Sequence, residues 1–130
     1  MGTNYYHHPK PPCECCGRAW EPRHIGKSSC GWCFALHVYP DDGIRGIDDW
    51  VRQWQSGVIK DEYGHQVTPA EMLSKIVDRE RVGKPPLDSQ WLASNSAVRG
   101  PKGLARRRLE RHRVVGYGDG PWDLCVGEFS

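Results

Sequence analysis

A chain of 130 residues with 38% hydrophobic residues, 15 glycines and 10 prolines has room for one modest core rather than two. Six tryptophans exclude a disordered chain, which could not bury them. The net charge of +2 excludes a uniformly basic or acidic protein, yet residues 99–113 hold seven Lys or Arg against one acid, Glu110.

Taken in chain order, residues 1–12 read as an extended arm. Asn4-Tyr5-Tyr6 has strand character, Pro9, Pro11 and Pro12 forbid a helix, and His7 and His8 are expected to be solvated on it. Residues 13–39 form a cysteine-rich hairpin that closes on a strand over residues 32–39, followed by a turn at Pro40-Asp41-Asp42-Gly43. Residues 46–83 read as helix, hairpin, helix. Ile47, Trp50, Val51 and Trp54 share one face of a first helix over 47–55, and short strands at 58–61 and 65–67 follow. Thr68-Pro69-Ala70-Glu71 is a capping-box start for the second helix, with Met72, Leu73, Ile76 and Val77 as its buried stripe. Residues 84–130 read as a loop packed by Leu87, Trp91 and Leu92, a short basic helix over 103–111, and a last strand, 122–126, that buries Cys125.

Five cysteines fall within residues 13–33. Cys13-x2-Cys16 and Cys30-x2-Cys33 are separated by thirteen residues, long enough for the chain to leave, turn and return, so that four thiolates can surround one tetrahedral Zn2+. Imidazole serves zinc equally well, so Cys13, Cys16, His24 and either Cys33 or His37 is a competing set. Cys15 and Cys16 are adjacent and cannot both face one ion, so one of them is a bystander. The chain opens without the apolar run of a secretory leader and lacks the roughly 18 apolar residues of a membrane span, so a reducing cytoplasm is expected. There a thiol cluster favours metal over disulfide. Such a closed zinc is structural, and its binding energy becomes folding energy.

Gly26-Lys27-Ser28 resembles the end of a phosphate-binding loop, but Glu21 stands where that motif needs glycine. Ser28, Ser29 and Gly31 are assigned to a hairpin turn instead. In a helix over 103–111, Arg107 and Arg111 would share a face with Arg108 beside them. Together with Arg106 and Arg113 they make a candidate phosphate-contacting surface. Trp20, Trp32, Trp91 and Trp122 are assigned mainly to the core. Asp88, Glu110, His112 and Asp119 can be assembled into a metallonuclease-like set, although their spacing follows no established motif.

The run Gly2-Thr3-Asn4-Tyr5-Tyr6, then Cys13-Glu14-Cys15-Cys16-Gly17-Arg18, His24-Ile25-Gly26-Lys27-Ser28-Ser29 and Gly31-Trp32-Cys33-Phe34, resembles a family of small uncharacterised proteins of tailed bacteriophages. Asp61-Glu62-Tyr63-Gly64 and the ending Gly127-Glu128-Phe129-Ser130 fit the same pattern. The resemblance implies a phage origin, a bacterial host cytoplasm and an accessory role acting on the host. It also favours Cys13, Cys16 and His24 as ligands over Cys30.

The sequence thus leads to a single α+β domain with an N-terminal zinc-knuckle hairpin resembling a zinc ribbon, two helices and a C-terminal β element. The functional expectation is a non-enzymatic zinc protein that binds and inhibits a host protein or complex, with Cys13, Cys16, His24, Cys30 and Cys33 as the pool of ligands. The alternatives are a nucleic-acid-binding zinc protein using the arginines, and a small metal-dependent nuclease.

Overall fold

The computed structural model describes residues 2–9, 21–79, 87–110 and 113–127. Nine strands and three helices are present among them: β1 (Gly2–His8), β2 (Arg23–Ser29), β3 (Phe34–His37), α1 (Ile47–Gln53), β4 (Val58–Asp61), β5 (Gln66–Val67), α2 (Pro69–Val77), α3 (Ser89–Ser94), β6 (Ala97–Arg99), β7 (Ala105–Arg107), β8 (Val114–Tyr117) and β9 (Trp122–Cys125). The domain is a small mixed α/β unit dominated by sheet. Seven strands form one sheet in the order β5-β4-β1-β2-β3-β9-β8, and β6 and β7 form a separate two-stranded ribbon. All pairings are antiparallel except that of β3 with β9, whose partners lie 88 residues apart in sequence, as in Phe34 with Trp122.

The alternation of side chains along β3 explains its central place. Phe34 and Leu36 enter the main core with Ile25, Trp50, Trp54, Met72 and Ile76, beneath the two longer helices. Ala35 packs on the opposite face with Val114 and Cys125. Both faces of β3 are therefore covered, and all four of its residues are buried.

Three sequence expectations hold closely. The helix at 47–55 is α1, although Val51 of its expected apolar face is exposed; the strands at 58–61 and 65–67 are β4 and β5, and Thr68 caps α2. The Thr68 hydroxyl accepts from the Glu71 amide at 3.1 Å and the Glu71 carboxylate accepts from the Thr68 amide at 3.2 Å, a reciprocal pair worth about 1 kcal/mol. Trp122 and Cys125 are buried in the last strand.

Other expectations are corrected. The N-terminal arm is an interior strand: β1 lies between β2 and β4, and His7 is buried, its Nε2 2.8 Å from the Ser56 carbonyl. Tyr5 meets the ring of Phe34, His7 that of Trp50 and Tyr6 that of His24, neighbours too distant in sequence for any local pattern to reveal. The turn assigned to Ser28, Ser29 and Gly31 starts later, since β2 runs through Ser29. The loop expected over 84–103 contains α3, whose first turn is capped by Asp88 accepting from the Trp91 amide at 2.7 Å, and β6. In place of the basic helix expected over 103–111, residues Ala105–Arg107 form strand β7. Ala105 pairs with Trp32 and Arg99, and Arg106 and Arg107 reach a buried acid on β9, Asp123, so tertiary partners override helix propensity.

Gly26 is required by close packing. A Cβ there would lie 2.1 Å from the Ala35 carbonyl and 2.5 Å from the Phe34 ring. The glycine of the phosphate-loop look-alike serves the β2–β3 contact. The Arg79 guanidinium ties the end of α2 to the same region through Trp32 O at 3.0 Å, Ser28 Oγ at 2.8 Å and Ser29 O at 2.7 Å.

Candidate metal-binding site

The β1–β2 pairing contains one irregularity that decides where His24 points. Tyr5 pairs with Gly26 and Tyr6 with His24, which leaves Ile25 as an extra residue. In an unbroken register His24 would oppose His7 and face the helix-covered core. The bulge moves it to the opposite face, beside Tyr6, while Ile25 is fully buried among the core residues. His37, two residues after Ala35 on β3, is placed on this same face.

The two imidazoles meet there. His24 Nδ1 and His37 Nδ1 are 3.0 Å apart. Two nitrogens bound to one tetrahedral zinc at about 2.0–2.1 Å stand about 3.3 Å apart, so the pair is already close to the required bite. His24 Nε2 lies 2.8 Å from Asn4 Oδ1. The Tyr39 hydroxyl donates to the His24 carbonyl at 2.9 Å, lies 3.1 Å from His37 Nδ1, and its ring stacks on His37 at 4.2 Å. Burial pushes both histidines down to about 4, which leaves the imidazoles neutral at pH 7, the form that ligates metals. The pair opens onto a cavity of about 900 Å3 walled by Tyr6, Arg23, Tyr39 and Asp42. Arg23 covers the Tyr39 ring and pairs with Asp42 at 3.3 Å.

The remaining ligand candidates divide. Cys13, Cys15 and Cys16 lie outside the described residues. Cys30 is exposed in the β2–β3 turn. Cys33 is fully buried, and burial pushes its thiol up to about 11. A Cβ placed on Gly100 would be 3.1 Å from its sulfur. Four residues of extended chain span about 13 Å, so Cys33 stands at the far end of β3 from His37. His24 is thus brought to His37 and not to Cys33. Among the described residues no group of three or more His, Cys, Asp or Glu side chains converges on a point. Asn4 and Tyr39 were missed as site residues because only the bulge brings them to His24.

The basic segment is placed differently from its sequence reading. Arg106 Nε bonds Asp123 Oδ1 at 2.9 Å. Arg107 reaches Asp123 Oδ2 through its amide at 3.2 Å and its guanidinium at 3.4 Å, and also donates to the Cys33 carbonyl at 2.8 Å. Asp123 is fully buried, which raises its carboxyl above the usual range, while the Arg107 amide and the two guanidiniums pull the other way. The Arg106 guanidinium also covers the Tyr117 ring and that of Arg107 covers Trp32. Arg108 is half-exposed beside Glu110 at 3.7 Å, Arg113 is exposed, and Arg111 lies outside the described residues. Two of the five arginines assigned to phosphate are spent inside the fold. His112 of the nuclease-like set also lies outside the described residues, and Asp88 serves as a helix cap.

Comparison with protein-family models, curated proteins and solved structures gave no match. Among the described residues no helix is long and apolar enough to cross a membrane.

Proposed function

We propose that the chain is a zinc-binding accessory protein of a tailed phage that binds a protein or complex of the bacterial host and inhibits it. The zinc is structural, held by Cys13 and Cys16 of the first C-x2-C together with His24 and His37. The convergence of the two Nδ1 atoms at 3.0 Å carries the metal half of this reading. His24 follows Cys16 by only eight residues, so the knuckle and the histidine pair are adjacent in the chain. Two thiolates and two neutral imidazoles make a closed, charge-balanced site with no position left for substrate, which favours stabilisation over catalysis. The zinc would supply tetrahedral cross-linking of the β1–β2 connection to β3, and the host setting follows from the phage resemblance. Affinity purification from nuclease-treated host lysate, read by native mass spectrometry, tests both halves. One zinc per chain and a stoichiometric host partner are expected; zinc-free protein, or the absence of any partner at stoichiometry, contradicts the corresponding half.

A further inference from the structure

We propose that the open edge of the seven-stranded sheet is a self-association surface, on which β8 pairs antiparallel with β8 of a second copy of this chain, about a two-fold axis through Gly116. The proposal is independent of the zinc reading. Strand β8 ends the sheet: among the described residues no strand pairs with it beyond β9. The opposite edge is blunted, because β5 has two residues against the four of β8. Gly118 donates to the Trp122 carbonyl at 3.1 Å. The alternation of an antiparallel ladder therefore turns Gly116 towards β9 as well and sends the N–H and C=O groups of Val115 and Tyr117 outward. No lysine or proline stands on β8 to discourage pairing.

A second β8 matches this edge in backbone, side chain and charge, and the match fixes the register. With Gly116 on the axis, Val115 of each copy lies opposite Tyr117 of the other, so their outward backbone groups satisfy one another. Val115 is 57% exposed, and by alternation it shares a face of the strand with Tyr117. The Tyr117 ring is held in place, its hydroxyl donating to the Arg107 carbonyl at 2.6 Å and the Arg106 guanidinium lying 4.4 Å from its centroid. A β-branched side chain opposite an aromatic ring is a favourable cross-strand pair. The same register sets Arg113 opposite Asp119. Both are exposed, and neither has an ion pair among the described residues. The Arg113 guanidinium rests beside Gly127, which has no side chain to hold it. Opposite charges at the two ends of one edge complement themselves in an antiparallel pair, whereas a parallel pair would bring like charges together.

Two short strands make a small interface, so the association is weak and reversible, with a dimer dissociation constant of about 10–500 µM. The experiment is sedimentation equilibrium on the full chain across that range, with urea unfolding of each variant as the control for folding. The wild-type mass should rise from monomer towards dimer with concentration. Val115→Lys, at an exposed position, should leave the urea midpoint unchanged and weaken the dimer by at least about 10-fold. Arg113→Glu and Asp119→Lys should each weaken it by about 3–10-fold, because by symmetry each sets like charges together twice. The double variant should recover to within about 3-fold of the wild type. A wild-type chain that stays monomeric at about 500 µM overturns the proposal. So does a dimer indifferent to Val115→Lys, or a double variant no tighter than either single one. If a charge variant fails to fold, the wild-type mass and Val115→Lys still decide.

Discussion

Two polar clusters of this protein, one joining β9 to the β6–β7 ribbon and one on β2 and β3, differ in how their charge is completed. At Asp123 a carboxylate is enclosed by two guanidiniums and a backbone amide, so positive and negative charge complete each other within the chain. At His24 and His37 two neutral imidazoles direct ring nitrogens towards each other beside a cavity. A dense run of charge at residues 106–107 is therefore used as internal structure, while the uncharged pair has the chemistry of a ligand set. Local charge in a sequence is a poor guide to function when its counter-ion arrives from 16 or 17 residues away.

That contrast can be tested by substitution. The largest effect is expected at Asp123. Asp123→Ala strands two guanidiniums, each only 14% exposed at the side chain, and should destabilise the fold by about 3–5 kcal/mol in urea unfolding. A change below about 1 kcal/mol would show that the enclosure is not structural. Next is Gly26→Ala, which would force a methyl group against the Ala35 carbonyl and the Phe34 ring. A loss of about 2–3 kcal/mol is expected, with weaker zinc binding because the β2–β3 spacing sets the distance between the histidines; unchanged stability would contradict the close contact. Thr68→Ala removes a helix cap remote from both clusters and should cost about 1 kcal/mol while leaving zinc affinity unchanged. The smallest effect is expected from Arg108→Ala, a half-exposed side chain facing Glu110, with a stability change within about 0.5 kcal/mol. Steeply salt-dependent nucleic-acid binding lost in that variant would restore the phosphate-contacting role of the basic segment.

Elements whose signals are local were legible in the sequence. The face made by Ile47, Trp50 and Trp54, the Thr68–Glu71 capping box and the apolar run around Trp122 rest on neighbours within a turn or two. Elements that depend on distant partners were not. β1 looks like a Pro-terminated arm because its partners on β4 lie fifty or more residues away. The segment around Arg106 has helix-forming residues, but its conformation answers to Asp123. The candidate site falls between these cases. Cysteine spacing and His24 could be read directly, and His37 stood among the alternatives. The contact of His24 with His37 rather than Cys33 depends on the strand length of β3, and that with Asn4 on the Ile25 bulge, which leaves no mark in residue type.

The most direct measurement is X-ray absorption at the zinc edge on anaerobically purified protein. A shell of two sulfurs at about 2.3 Å and two imidazole nitrogens at about 2.0 Å is expected, with one nitrogen lost in His37→Ala. Four sulfurs, or protein that is folded, zinc-free and indifferent to chelators, would contradict the assignment of His24 and His37 as ligands.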